Sequence, residues 1–148
     1  MPGQDLNCRI RRLDASVELP RYQTSGSVGF DLAASEDVTV GPGEVQLVPT
    51  GLVIEVPDGY FLAVVARSST PLRRGLMVAN GVGVVDPDYC GPSDQVMIEV
   101  VNFTNQPVAV RRGDRIAQGL FIPVSRANWE DVVQLAPESR GGFGKTGT

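Results

Sequence analysis

The feature that most constrains this chain is a succession of short apolar runs, each closed by a turn containing glycine or proline. Val, Ile, Leu and Phe dominate six runs, at residues 7–13, 44–48, 52–56, 60–66, 95–102 and 116–124. Turn signals such as Gly41-Pro42-Gly43 and Pro57-Asp58-Gly59 separate them at short intervals. Short runs punctuated so regularly are typical of a sandwich or barrel and not of alternating βα units. The sequence therefore predicts an all-β fold, with one helical turn over residues 69–74.

The last dozen residues depart from this pattern. From about Pro137 the sequence has almost no apolar side chains to bury, and such a segment is expected to be mobile in isolation. At 148 residues, the chain is long enough for one domain with a real core. We therefore predict a compact β domain over residues 1–136 and a flexible C-terminal arm over residues 137–148.

The arm contains Gly144-Lys145-Thr146, which suggests a phosphate-binding P-loop. With Gly144 as its later glycine, that motif requires its first glycine at position 139, where this chain has Ser139. The P-loop is therefore excluded, and the glycines of the arm need another explanation.

The sequence contains no histidine. This excludes histidine-based catalytic triads and histidine metal sites. Hydrolysis by this chain would have to use carboxylates, a metal ion held by carboxylates or phosphates, and positioning of the substrate. The net charge of −4 disfavours a general affinity for the nucleic-acid backbone.

Signals for membrane insertion and export are missing from the sequence. Its apolar runs are far shorter than the ~20 residues of a membrane-spanning helix, and no N-terminal signal pattern appears. The two cysteines, Cys8 and Cys90, do not make a disulfide framework. We therefore expect a cytoplasmic protein with no membrane partner and no direct nucleic-acid partner.

Two stretches carry side chains suited to nucleotide chemistry. Asn80, beside glycines that let a backbone approach a ligand closely, has donors and acceptors that can read a pyrimidine edge. Asp86 follows an apolar run, so we expect it at the end of a buried strand, where a carboxylate can hold a water molecule. Arg67-Ser68-Ser69 ends another strand and can cradle a phosphate. Each has a simpler interpretation as well, as a turn at Asp86-Pro87-Asp88 and as a structural cap at the serines.

Taken together, five segments resemble the ordered motifs of the trimeric dUTP diphosphatases (dUTPases). The segments are residues 26–32, 67–69, 80–89, 113–118 and 140–147. One such motif alone is weak evidence, whereas five in order across nearly the whole chain are specific. The resemblance implies a jelly-roll-like β-barrel that assembles as a homotrimer with three active sites between subunits. It also implies hydrolysis of dUTP to dUMP and pyrophosphate, with Mg²⁺ held mainly by the triphosphate.

The resemblance further implies a role for each matching residue. Asp86 would activate the water that attacks the α-phosphorus, while Gln118 and Arg67 would contact the phosphates. Asp31 would lie near the water shell of the metal, and Asp114 would pair with a nearby arginine. The implied substrate contacts are Ser68, Ser69, Asn80, Gly83, Val84, Tyr89, Arg140, Phe143, Gly144 and Thr146.

These contacts divide by the part of the nucleotide they would meet. Asn80 and the backbone of its hairpin would read uracil, and Tyr89 would pack under the deoxyribose, leaving no room for a 2′-hydroxyl. The arm would close over the bound nucleotide as a lid. Phe143 would then stack on uracil, and Arg140 and Thr146 would reach the γ-phosphate.

Four features depart from the dUTPase pattern. Family members commonly have Pro-Arg-Ser-Gly in place of Ala66-Arg67-Ser68-Ser69, and Arg-Ser-Ser also occurs in the dCTP deaminases, which share the fold. Glu99, three residues before Asn102, stands where those deaminases place a glutamate that activates water; its simpler interpretation is an exposed strand residue. Residues 90–95 form a longer connection than usual, and Lys145 stands where serine is common.

Three hypotheses therefore remain open. The first is a dUTPase, indicated by Asp86, Tyr89 and Phe143. The second is a dCTP deaminase or a bifunctional enzyme that uses Glu99. The third is a dUTPase-like nucleotide-sensing regulator that binds partner proteins and signals through closure of the arm, although an intact Asp86 argues against a purely non-catalytic role.

Overall fold

The computed structural model describes residues 5–145, and its regular structure is almost entirely β. The strands are β1 (Arg9–Arg12), β2 (Phe30–Ala33), β3 (Val38–Val40), β4 (Val45–Pro49), β5 (Leu52–Glu55), β6 (Tyr60–Ala66), β7 (Leu76–Val78), β8 (Gly83–Val85), β9 (Met97–Asn102), β10 (Val108–Val110) and β11 (Arg115–Pro123). A π-helical turn, Thr70–Arg74, joins β6 to β7, in the predicted place. The all-β prediction is confirmed. Across residues 5–145, no helix has the length and hydrophobicity that crossing a bilayer requires.

Within residues 5–145, the strands form four antiparallel sheets around one core. The largest has the order β2-β11-β6-β8, the next has the order β4-β9-β7, and β1–β5 and β3–β10 are two-stranded. Among the strands described, these pairings do not close into one continuous hydrogen-bonded barrel. The resemblance implied a jelly-roll-like β-barrel; the strands pack together as separate sheets, and a closed barrel is not shown.

Buried and exposed residues alternate along the strands, and the buried ones form the core. In β9, Ile98, Val100 and Asn102 are buried while the residues between them are partly exposed, as the two-residue period of a strand requires. The largest fully buried side chains come from several sheets at once and are Leu32, Ile54, Leu62, Leu76, Ile98 and Ile116. Side chains from both of the larger sheets and from the β1–β5 pair thus meet in one apolar core.

One fully buried polar side chain, Asn102, ties surface connections to this core. Its Nδ2 donates to the carbonyl oxygens of Val40 at 2.9 Å and Gln106 at 2.7 Å. Its Oδ1 accepts from the backbone N–H of Thr104 at 2.9 Å and from the hydroxyl of the same residue at 2.7 Å. All the polar atoms of the amide are satisfied, which is the condition for burying such a group without a large penalty.

After β11 the chain continues without strand pairing. Residues 122–140 are all exposed, and they include Trp129 at 92% and Leu135 at 93% relative exposure. Large apolar side chains exposed in one continuous stretch are typical of interaction surfaces. The unpaired segment begins at residue 124, and the division near residue 136 into domain and lid stays a prediction.

Candidate active site

One end of the largest sheet collects the side chains that were predicted to meet phosphates. Gln118 of β11 lies opposite Asp31 of β2 on one side and Val65 of β6 on the other. Phe30 and the other buried residues of β2 point into the core, so Asp31 lies on the outer face. Arg67 follows directly after the end of β6. The strand register therefore brings Asp31, Gln118 and Arg67 together.

Arg67 is held from three directions. Its Nε lies 2.9 Å from Oδ1 of Asp31, and its Nη1 donates to the carbonyl oxygen of Arg115 at 3.2 Å. Its backbone N–H donates to the hydroxyl of Thr70 at 3.2 Å. The second oxygen of Asp31 accepts from Nη1 of Arg115 at 3.1 Å. The carboxylate of Asp31 therefore lies between two guanidinium groups.

Sequence reasoning missed Thr70, which is buried and fixes the loop that carries Arg67. Its hydroxyl donates to the carbonyl oxygen of Ile116 on β11 at 2.7 Å, and its N–H donates to the carbonyl oxygen of Arg67 at 3.0 Å. These bonds hold Arg67-Ser68-Ser69 against β11. The available signal was a threonine before Pro71 at the start of a short helical turn, where hydroxyl groups commonly bond the backbone.

Gly29 leaves the space that the side chain of Gln118 occupies. A Cβ atom at position 29 would lie 2.5 Å from Oε1 of Gln118. The Nε2 of Gln118 donates to the carbonyl oxygen of Ala66 at 3.1 Å, directly beside Arg67. Because a real Cβ cannot approach so closely, a side chain at position 29 would displace Gln118 from the site.

The predicted uracil-reading hairpin is a turn between β7 and β8, which pair with β9 and β6 in the two largest sheets and not with each other. The N–H of Ala79, at the end of β7, donates to the carbonyl oxygen of Glu99 on β9 at 2.8 Å. Gly83 then begins β8, which pairs with β6. Asn80 and Val84 are exposed along this hairpin, so their polar atoms and backbone are accessible to a ligand.

The prediction that Asp86 ends a buried strand was wrong. β8 is an edge strand of its sheet, its central residue Val84 is 62% exposed, and Asp86 itself is exposed. Apolar composition misled the prediction because β8 buries one face while its other face stays open in the single chain. The hydroxyl of Tyr89 donates to the carbonyl oxygen of Gln95 at 3.1 Å and so ties the turn after β8 to the 90–95 connection.

The register also separates Asp86 from Arg67. Val85 lies opposite Leu62 on β6, whereas Arg67 follows the other end of that strand. Leu62 and Arg67 are five positions apart, which at ~3.3 Å per residue is a span of roughly 16 Å. One chain therefore does not bring the predicted water-activating carboxylate and the predicted phosphate-binding arginine together.

Glu99 lies close to this hairpin through its backbone. It is half-buried and stands opposite Leu47 of β4, on the outer face of its sheet beside Met97 and Val101. The simpler interpretation of an exposed strand glutamate thus understates its burial. Its neighbours on the sheet face are apolar.

Asp114 pairs with an arginine, as the resemblance implied. Its Oδ2 lies 2.9 Å from Nη1 of Arg74 and accepts from the backbone N–H of Arg111 at 2.9 Å. Burial raises the pKa of Asp114, but the bond from Arg111, the bond from Arg74 and their two positive charges outweigh it, so the pKa is lowered. The pair secures the turn before β11 to the helical turn after Arg67.

We expect Asp114→Asn to destabilise the protein near neutral pH by about 1 kcal/mol. Because the folded-state pKa is depressed, the ionised carboxylate stabilises the fold above its ordinary pKa of about 4. That contribution disappears as the pH falls through the folded-state pKa. Urea unfolding of both proteins at about pH 7 and about pH 3 should show a difference that shrinks in acid. An undiminished difference at the lower pH would contradict this assignment.

The arm is described as far as Lys145, and Thr146 lies outside the described residues. The N–H of Lys145 donates to the carbonyl oxygen of Gly142 at 3.0 Å, which makes a turn. Phe143 is fully exposed within this turn and has a φ of 51°. The contacts predicted for Arg140, Phe143 and Gly144 with a nucleotide remain predictions.

Comparison with known proteins gives a consistent answer. The dUTPase family model matches residues 15–147. A deoxyuridine 5′-triphosphate nucleotidohydrolase from Anaeromyxobacter sp. (strain Fw109-5) is 45% identical over 141 residues, which cover 94% of each chain. The crystal structure of dUTPase from Streptococcus mutans matches with a TM-score of 0.75 at 31% identity, over 84% of this chain and 100% of that chain.

A more distant structure has the same fold. It is a mutant dUTPase from phage phi11 of S. aureus, whose structure reveals the coordination of a structural Mg(II) ion. It matches with a TM-score of 0.78 at 18% identity, over 87% of this chain and 98% of that chain.

Proposed function

This chain belongs to the dUTPase family, and on that premise we propose that it hydrolyses dUTP to dUMP and pyrophosphate. The observation that carries the proposal is its relationship, over nearly its whole length, to a nucleotidohydrolase named for this substrate. The reaction would limit incorporation of uracil into DNA and supply dUMP for dTMP synthesis.

The end of the largest sheet that collects Asp31, Gln118 and Arg67 would neutralise charge on the substrate. Hydrolysis of a phosphoanhydride requires neutralisation of charge and a water molecule in line with the leaving group. Arg67, with Ser68 and Ser69 after it, would bind the phosphates, and Gln118 would contact them from β11. Asp86 would align and activate the attacking water.

A Mg²⁺ ion held mainly by the triphosphate would lie with its water shell near Asp31. The side chain of Asp31 is 14% exposed, and each of its oxygens accepts one arginine N–H while retaining capacity for another donor. It could therefore accept a hydrogen bond from a water molecule on the ion. Mg²⁺ commonly takes one or two carboxylates together with substrate phosphates and keeps several waters. When bound, it would neutralise charge on the phosphate oxygens.

The hairpin and the arm would select and enclose the nucleotide. Asn80, with the backbone of Gly83 and Val84, would read uracil, while Tyr89 would pack against the deoxyribose. Phe143 would stack on the base, and Arg140 and Thr146 would bind the γ-phosphate. Closing such a lid expels water and completes the site only around the correct ligand.

We propose a homotrimer whose sites lie between subunits. Two observations on one chain support this arrangement: the separation of Asp86 from Arg67 along β6, and the exposed apolar side chains of residues 122–140. A second copy that presents its hairpin beside Arg67 would complete the site. Further copies would cover Trp129 and Leu135.

Neither alternative gains support. Three relatives that cover 94%, 89% and 90% of this chain are dUTP nucleotidohydrolases, so a dCTP deaminase is not favoured. Glu99 is flanked on its sheet face by apolar residues, and nothing in that setting assigns it a catalytic role. The exposed, intact Asp86 equally favours an enzyme over a purely regulatory protein.

We also propose a cytoplasmic location and no direct nucleic-acid or membrane partner. Cys8 and Cys90 are both free thiols, which fits a reducing compartment. The net negative charge disfavours binding to the nucleic-acid backbone.

A product assay tests the proposed activity. The purified protein is incubated with dUTP or with dCTP in the presence of Mg²⁺, and pyrophosphate and ammonia are measured separately. We expect pyrophosphate from dUTP and no ammonia from dCTP. Ammonia release from dCTP that disappears in Glu99→Gln would overturn the simple dUTPase assignment. Light scattering after size-exclusion chromatography would test the homotrimer in the same preparation.

A further inference from the structure

We propose that Arg115 is a positioning residue for the phosphate site and acts through Asp31 on Arg67. The inference deepens the proposed function and rests on it, since the triphosphate of dUTP is the ligand that Arg67 would meet. Arg115 has none of the roles proposed for the residues that meet the substrate or the metal.

Arg115 contacts both members of the Asp31–Arg67 pair by different groups. Its backbone carbonyl accepts from Nη1 of Arg67 at 3.2 Å, and its own Nη1 lies 3.1 Å from Oδ2 of Asp31. Arg115 opens β11, and the register with β2 shifts between Arg115 and Ala117. Such irregularities redirect a side chain relative to the regular strand. The shift therefore explains how a residue on the adjacent strand can turn back over Asp31.

These contacts leave Arg67 with a defined set of free donors. Asp31 takes its Nε, and the carbonyl oxygen of Arg115 takes one N–H of Nη1. The Nη2 group and the second N–H of Nη1 remain for a phosphate oxygen. Because a guanidinium is planar and rigid, fixing Nε and Nη1 also fixes where the remaining donors point.

The charge of Arg115 matters as much as its geometry. Asp31 and Arg67 alone form a neutral pair, and the carboxylate of Asp31 would repel an approaching triphosphate. With Arg115 as a second partner of the same carboxylate, the group carries a net positive charge. Asp31 then orients Arg67 without cancelling the attraction of the site for phosphates.

Within residues 5–145, Asp31 has no other cationic partner that could replace Arg115. The ion pairs of Asp31 among residues 5–145 are those with Arg67 and Arg115. Arg112 also lines the cavity of about 580 Å³ beside Asp31, but its guanidinium donates to the hydroxyl of Ser16 and its backbone N–H donates to Asp37. Arg112 therefore provides a matched control, an arginine close to the site that does not contact the pair.

The test compares Arg115→Ala, Arg115→Lys and Arg112→Ala with the wild-type protein. Isothermal calorimetry measures binding of a non-hydrolysable dUTP analogue and of dUMP, each with and without Mg²⁺. We expect Arg115→Ala to weaken binding of the triphosphate analogue about tenfold or more, as loss of a charge-assisted contact should, while dUMP binding changes little. Arg115→Lys should recover part of the lost affinity, because lysine restores the positive charge but lacks the planar set of guanidinium donors. Arg112→Ala should bind both ligands as the wild type does.

Steady-state kinetics complete the test. Arg115→Ala should raise the KM for dUTP more than it lowers kcat. Unchanged binding of the triphosphate analogue, or an equal loss for analogue and dUMP, would overturn the inference. A wild-type protein that does not hydrolyse dUTP would instead refute the proposed function. Thermal unfolding of each variant separates a positioning effect from misfolding, and a folded Arg115→Lys keeps the test decisive if Arg115→Ala does not fold.

Discussion

Replacing Asp86 by asparagine is expected to slow dUTP hydrolysis by about 10²–10⁴-fold, the usual contribution of a positioned general base. Asparagine has nearly the shape of aspartate but cannot accept the proton of the attacking water. The side chain of Asp86 is exposed, and its backbone carbonyl accepts the N–H of Tyr89 at 3.2 Å, so the turn does not depend on the carboxylate. The variant should therefore fold normally and bind the nucleotide.

Single-turnover kinetics and calorimetry with a non-hydrolysable dUTP analogue would measure the two effects separately. Asp88→Asn is the matched control, because Asp88 is another exposed carboxylate in the same turn. It should keep wild-type turnover. Wild-type turnover in Asp86→Asn, or an equal loss in Asp88→Asn, would remove Asp86 from its assigned role.

Mixing two inactive variants is expected to restore activity that neither has alone. Asp86 and Arg67 are separated by roughly 16 Å of strand within one chain, so a shared site would take them from different copies. Chains carrying Asp86→Asn and chains carrying Arg67→Ala would then form some intact sites when they assemble together. With random assembly in equal amounts, about a quarter of the sites should hold both native residues.

The experiment co-refolds the two variants at equal concentration and measures pyrophosphate release. Mixing Arg67→Ala with Gln118→Ala provides the control, since the register puts Arg67 and Gln118 at the same end of one sheet. That mixture should stay inactive, because each site would still lack one of the two residues. Failure of the first mixture to regain activity would place Asp86 and Arg67 in the same site of one chain.

The six short apolar runs of the sequence predicted much of the fold. The six predicted runs coincide with β1, β4, β5, β6, β9 and β11. Strands that the sequence did not predict, such as β3 and β10, are three residues long. They form because they pair with each other, and their own composition does not distinguish them. Periodicity carries little information over so few residues.

The site was predictable only where it depends on residue type. Motif spacing indicated Arg67, Gln118 and Asp31, and the register brings those three together. The roles of Arg115 and Thr70 depend instead on a register shift and on a buried hydroxyl that faces β11. Neither is encoded in the spacing of residues along the chain, because each arises from which strands become neighbours.

The exposed segment that follows β11 also affects how an unassembled chain would resist proteolysis. Proteases cut most readily in exposed segments outside regular structure, and residues 124–140 are exposed and lie outside the strands in the single chain. Cleavage there would remove Arg140 and Phe143 while leaving the strands intact. Proteolysis would thus inactivate unassembled chains by removing the lid. Assembly would protect the segment that connects the lid to β11.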